Sequence, residues 1–211
     1  MVSEQDANWK FAQESVVEPE HIARARQHAL ELGADPVDPA VGAQLAVLAA
    51  ATGARNIVEI GTGAGVSGLC LLHGAPSSVL TTIDSEPEHL AIARQSFTDA
   101  KVPAARARFI TGRASDVLPR MNEASYDLVL VDADIEHVIE YVEHGLRLVR
   151  AGGTVLVPRA LHHGRVADPV QRDDVTRALR SLIQETQQSP AVIAALSLVG
   201  DGLLQLTKVT D

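Results

Sequence analysis

One stretch constrains this 211-residue chain more than any other: Asn56-Ile57-Val58-Glu59-Ile60-Gly61-Thr62-Gly63-Ala64-Gly65-Val66-Ser67. It opens as a short apolar run that reads as a buried strand and then breaks into glycines at alternate positions. Val66-Ser67-Gly68-Leu69-Cys70-Leu71-Leu72 follows, apolar enough to open a helix. Glycine reaches backbone angles closed to other residues and lets a ligand touch the main chain. The start of a helix offers unpaired N–H groups. A strand that turns sharply into a helix through glycines therefore makes a ligand cradle.

The rest of the chain repeats the alternation. Helices are predicted over 18–32 and 40–51, the second apolar over most of its circumference and so covered on both sides. Strands are predicted over 79–83, 107–110, 127–131 and 154–157, with helices over 85–100, 115–121 and 136–149 between them. Ser85-Glu86-Pro87-Glu88 has the form of a capping box. Residues 170–188 read as a polar surface helix, and the apolar runs 191–198 and 203–209 flank Gly200-Asp201-Gly202 as a hairpin. The expectation is an α/β fold: a doubly wound, mostly parallel seven-stranded sheet with a C-terminal antiparallel hairpin and two extra N-terminal helices. Residues 1–17 are expected to form an arm and 18–211 a single domain.

The net charge of -9 and pI near 5.3 leave no basic face for nucleic acid. Met1 to Lys10 is polar, without the apolar core of a secretory leader, and the longest purely apolar run, 45–51, is too short to span a bilayer. By elimination a cytoplasmic location is expected, with no membrane partner. The single cysteine, Cys70, reads as a small buried apolar residue.

Two ligand classes compete for the cradle. Gly63-Ala64-Gly65-Val66-Ser67-Gly68 matches G-x-G-x-x-G, the dinucleotide pattern, as many glycine-rich turns do. The other reading is E-x-G-x-G-x-G, with Glu59 two residues before the first glycine. A carboxylate beside a pyrophosphate repels it, whereas S-adenosylmethionine carries a sulfonium and an ammonium and no phosphate. Acids also end the second and fourth strands, at Asp84 and at Asp132 with Asp134. Ligands of such sheets bind beyond the carboxyl ends of the strands. Three acidic strand ends around one crevice suit a cationic nucleoside. Asp84 reads either as an acceptor for ribose hydroxyls or as a helix-capping turn acid.

Val58 to Ser67, Thr82-Ile83-Asp84, Gly112-Arg113-Ala114 and Val131-Asp132-Ala133-Asp134 together resemble the O-methyltransferases of the catechol and caffeoyl-CoA type, in an actinobacterial branch. The resemblance runs from about Glu18 onward. It implies that Val37 and Glu59 meet the methionine end of S-adenosylmethionine, that Gly61, Thr62 and Ser67 line its loop, that Asp84 holds the ribose, that Ala114 meets the adenine and that Asp134 touches the cofactor. It also implies a homodimer. The family's divalent cation lies between the aspartate matching Asp132 and an Asp-Asn pair at the end of strand five, and here that pair reads Pro158-Arg159. Proline offers no side-chain oxygen and arginine is a cation. The family's lysine three residues after the first aspartate is Ile135. No metal is therefore expected. Asp132 and Arg159 sum to zero charge, as the ion and its two aspartates do, so Arg159 is a candidate to steady an oxyanion.

A phenol still has to lose its proton near neutral pH. His162 and His163 follow strand five closely enough to face the pocket, and His137 ranks behind them. The candidate catalytic set is Asp132, Arg159 and His162, with Asp132 and His163 toward a small-molecule substrate. The expected activity is O-methylation of a small hydroxylated, phenolic or similar, acceptor. The rivals are a catalytically inactive S-adenosylmethionine-binding protein and an NAD-dependent oxidoreductase.

Overall fold

The computed structural model describes residues 4–209. Three helices come first: α1 (Glu4–Glu14), α2 (Glu20–Glu31) and α3 (Pro39–Ala51). Strands and helices then alternate through β1 (Asn56–Ile60), α4 (Val66–Gly74), β2 (Val79–Asp84), α5 (Pro87–Asp99), β3 (Ala107–Thr111), α6 (Ala114–Val117), β4 (Tyr126–Val131), α7 (Val138–Leu148), β5 (Val149–Pro158) and α8 (Asp174–Gln188). The hairpin β6 (Val192–Ser197) and β7 (Leu203–Lys208) closes the series.

The sheet order is β3-β2-β1-β4-β5-β7-β6. The first five strands run parallel, and β7 pairs antiparallel with both β5 and β6. This is the expected architecture. The chain builds outward from β1 through β2 to β3, then returns to place β4 on the other side of β1. The crevice between the carboxyl ends of β1 and β4 is thus a topological switch point.

Strand parity divides the core. Ile57, Leu128 and Leu156 pack with Leu45, Leu69 and Leu71 on the face covered by α2, α3 and α4. Val58, Ile60, Val129 and Val155 pack with Val142 and Leu179 on the face covered by α7 and α8. Successive side chains of a strand point to opposite faces, so Glu59 falls on the same side as Ile57, beneath α4.

Four local expectations change. Most of the segment expected to be an arm is helix α1, which packs on α3, and Trp9 Nε1 donates to the Leu198 carbonyl at 3.1 Å. Residues 1–3 of that arm lie outside the described residues. Helix α3 is covered on one side only: Val41, Leu45 and Ala49 are buried while Val47 is exposed. Helix α8 buries Leu179, Leu182 and Ile183, so its polar residues form one face rather than the whole surface. The capping box of α5 does not form; Asp84 Oδ1 accepts from Glu86 N at 2.9 Å instead. Among the described residues no helix is long and apolar enough to cross a membrane.

Candidate active site

A cavity of about 640 Å³ opens at the carboxyl ends of β1, β2 and β4. Its walls are the glycine loop 61–64, Asp84, the turn 112–115, residues 132–134, and residues 34–36 from the loop between α2 and α3. The glycine loop takes the path the sequence requires. Gly61, Gly63 and Gly65 have φ of 92°, 50° and 90°, in the left-handed region. A β-carbon on Gly61 would lie 2.0 Å from the Asp132 carbonyl oxygen, so the ends of β1 and β4 meet backbone to backbone. Asp84 secures the loop from the β2 side: its Oδ2 accepts from Thr62 N at 3.0 Å and Gly63 N at 2.9 Å.

Of the residues expected to hold the cofactor, Gly61, Thr62, Ser67, Asp84, Ala114 and Asp134 line this cavity, as does Asp132. Val37 and Glu59 do not. Val37 is buried in the core, and its carbonyl accepts from Arg26, whose guanidinium also pairs with Glu18. Glu59 is 0% exposed. Ser67 Oγ donates to its Oε1 at 2.7 Å and Thr82 Oγ1 to its Oε2 at 2.6 Å. Burial pushes its carboxyl up to about 8, against the two hydroxyls, with Asp132 and Asp84 adding to the rise. Glu59 is thus a sealed, hydroxyl-bound acid one layer beneath Ser67, and it does not touch the cavity.

Asp132 and Arg159 come together as their opposite charges require. Arg159 Nη1 donates to Asp132 Oδ1, Nη2 donates to the Asp35 carbonyl, and Nε stands 3.4 Å from Asp35 Oδ2. Burial raises the Asp132 carboxyl and the Arg159 guanidinium opposes that rise. Arg159 lies outside the large cavity. It lines a second one of about 50 Å³ whose other walls are Asp132 and the side chains of Val131, Ile135, Val138 and Leu179, among others. The donor set does not fit the family's divalent cation: Pro158 and Arg159 replace two ligands, and the guanidinium already occupies Asp132. Among the described residues no group of three or more His, Cys, Asp or Glu side chains is placed to hold a metal ion.

The histidines are placed differently from the expected ranking. Neither His162 nor His163 lines either cavity. After Pro158 the backbone turns left-handed at Arg159, His162, His163 and Gly164, and Ala160 N and Leu161 N donate to the Gly202 and Asp201 carbonyls, at 3.0 Å each. His163 is anchored elsewhere, its N–H donating to Asp201 Oδ2 at 2.6 Å, and its side chain is 75% exposed. The histidine that does line the large cavity beside the β4 acids is His137. Its Nδ1 pairs with Asp134 Oδ2, and Tyr141 donates its hydroxyl to Asp134 Oδ1 at 3.0 Å. Asp35 and Tyr141 were not singled out by sequence. The spacing 134, 137, 141, with steps of three and four, is the helical-face signal that could have found Tyr141.

A family profile described as O-methyltransferase matches residues 13–209. The chain belongs to the O-methyltransferase family. A Mycolicibacterium smegmatis protein named "Putative O-methyltransferase" is 46% identical over 205 residues, covering 97% of this chain and 98% of that one. A Mycobacterium tuberculosis protein of the same description is 47% identical over 93% of this chain and 88% of its own length. Among solved structures, a Corynebacterium glutamicum protein superposes with a TM-score of 0.89 at 30% identity, covering 99% of both chains. The O-methyltransferase TomG of Streptomyces achromogenes, involved in tomaymycin synthesis and solved in complex with S-adenosylmethionine, gives 0.84 at 28% identity, covering 98% of this chain and 99% of that one.

Proposed function

We propose that this O-methyltransferase uses S-adenosylmethionine to methylate an oxygen of a small hydroxylated acceptor, phenolic or similar, without the family's divalent cation. The observation that carries the reading is the convergence of Asp84, Asp132 and Asp134 on one cavity beside the glycine loop. A cavity with that charge favours a cationic nucleoside over a pyrophosphate. The related TomG structure holds S-adenosylmethionine, which supports the same choice.

In this reading Gly61, Thr62 and Ser67 form the loop against the ligand and Ala114 meets the adenine. Asp84, already oriented by three backbone N–H groups, accepts from the ribose. Asp134 borders the methyl-donor end. Glu59 acts one step removed, through the Ser67 hydroxyl it accepts from. When bound, the donor supplies a sulfonium methyl that an oxygen nucleophile displaces in line. The chain's contribution is alignment, exclusion of water and control of charge. Arg159 supplies positive charge at Asp132, where the family places its ion, and so favours an acceptor oxygen that becomes anionic. We also propose a homodimer, supported by Trp9, Phe11, Leu30 and Val47, large apolar side chains exposed on the first three helices. Light scattering that gives a monomer mass would remove it.

The test is calorimetry with S-adenosylmethionine, S-adenosylhomocysteine and NADH, followed by transfer of labelled methyl to phenols with and without EDTA. Heat with the first two ligands, none with NADH, and turnover indifferent to EDTA are expected. Turnover abolished by EDTA and restored by magnesium would overturn the metal-free reading. Binding of NADH alone would overturn the cofactor.

A further inference from the structure

We propose that His137 is the general base that takes the acceptor's proton, with Asp134 as its positioning residue; this rests on the O-methyltransferase reading above. Asp132, Ala133 and Asp134 leave the end of β4, and the single turn Ile135–His137 swings the imidazole back to the same cavity. Asp134 binds two partners at once, His137 Nδ1 on Oδ2 and the Tyr141 hydroxyl on Oδ1. A carboxylate on Nδ1 keeps the ring proton there, which leaves Nε2 as the basic nitrogen. Nε2 carries no hydrogen bond among the described residues. Tyr141 is buried, and its ring centroid lies 5.9 Å from that of His137, so it fixes both Asp134 and the imidazole plane.

The other titratable groups near the site are spoken for. Asp132 is held by Arg159, Glu59 is sealed beneath Ser67, and His89 stands 3.4 Å from Asp84 at the β2 end. Burial and Asp134 push the Tyr141 phenol up, so it stays protonated and serves as a donor.

The step balances within the acceptor and the ring. The acceptor's O–H bond breaks, its electron pair stays on oxygen, and an N–H bond forms at Nε2. The resulting imidazolium faces the Asp134 carboxylate. Its side chain is 54% exposed, so solvent recovers the proton. The charged groups facing His137 are Asp134 and, along its own turn and α7, Glu136 and Glu140; Tyr141 adds a hydroxyl, and Arg113 faces the same cavity. The hydrogen bond that Nδ1–H donates to Asp134, and the charge of that carboxylate, raise the imidazole above its ordinary value, so the free base, and the rate, increase as pH rises through that raised value.

The experiment uses the full chain, labelled S-adenosylmethionine and two acceptor sets: unsubstituted phenols, which hold their proton to a pH of about 10, and nitrophenols, which ionise near neutrality. For His137→Gln we expect kcat on the phenols to fall by about 10²- to 10⁴-fold, with the rising pH limb abolished. The nitrophenols, which arrive already ionised, lose less than about ten-fold, and the heat of S-adenosylhomocysteine binding is retained. Asp134→Asn shifts the wild-type limb to lower pH. Equal losses on both acceptor sets, or a limb that survives in His137→Gln, would overturn the proposal while leaving the methyltransferase intact. Wild-type protein that binds S-adenosylhomocysteine but methylates neither set would remove the oxygen-acceptor reading and this base with it. Absence of binding would instead defeat the cofactor assignment.

Discussion

Replacing Glu59 with glutamine isolates what an enclosed carboxyl does to this fold. Glu59 is fully buried, and hydroxyls donate to its carboxyl: Ser67 to one oxygen, and Thr82, itself 2.6 Å from the Thr62 hydroxyl, to the other. Burial raises it from 4.5 to about 8. The unfolded chain loses this proton near 4.5, whereas the folded chain keeps it to about 8. Stability contributed by the bound proton is therefore complete below the lower value and drains away as pH climbs to the upper one. One group over that window changes the unfolding free energy by about 1.4 kcal/mol per pH unit, on the order of 5 kcal/mol in all. Glutamine keeps the shape, can accept from one hydroxyl and donate to the other, and does not titrate. Urea unfolding followed by circular dichroism, at several pH values between about 5 and 8, measures both proteins in this window. The free-energy difference between Glu59→Gln and wild type should move in the variant's favour by roughly 1 kcal/mol per pH unit. Parallel pH curves would refute the reasoning, since they would mean that Glu59 is ionised in the folded protein throughout.

Two further substitutions probe how the site is carried. Gly61→Ala would drive a β-carbon to within 2.0 Å of the Asp132 carbonyl at a left-handed φ of 92°, so loss of S-adenosylhomocysteine binding together with a lower melting temperature is expected; normal binding by calorimetry would contradict the close backbone approach. Asp127→Ala removes the acceptor for Arg55 N at 2.7 Å and Asn56 N at 2.8 Å, together with the partner of Arg150 Nε. Each orphaned N–H costs on the order of 1–3 kcal/mol, read as a lower urea midpoint at an unchanged m-value. Burial works against ionisation of Asp127, but the Asn56 and Arg55 N–H groups and Arg150 outweigh it and hold the carboxyl below its ordinary value. This contribution is present above the ordinary carboxylate range and is lost as pH falls through the folded value, opposite in sign to that of Glu59.

The sheet and the acidic rim were legible because short-range physics writes them. Glycines at alternate positions after an apolar run leave few backbone paths, and an acid ending a buried strand has the crevice beyond it as its wet exit. What the sequence hid were directions. Strand parity puts Glu59 on the α4 side with Ile57, but whether that side meets ligand or core depends on how closely α4 lies. Gly68 answers this: a β-carbon there would come within 3.0 Å of Glu59 Oε2, so the missing side chain is what lets the helix close over the acid. His162 and His163 lie outside the cavity lining for a related reason. Nearness to β5 in sequence becomes nearness in space only along regular backbone, and three non-glycine residues between 159 and 163 take left-handed angles that no propensity foretells. Helix α1 escaped because its own pattern is weakly amphipathic, and the contacts that hold it, α3 and the Leu198 carbonyl, lie far along the chain. The Asp132–Arg159 pair was reached from the family's ligand positions and a charge count, yet its third member, Asp35, is 124 residues from Arg159. Arg159 therefore fastens the loop after α2 to the end of β4, so one guanidinium both pairs with the acid that ends that strand and positions a wall of the cavity.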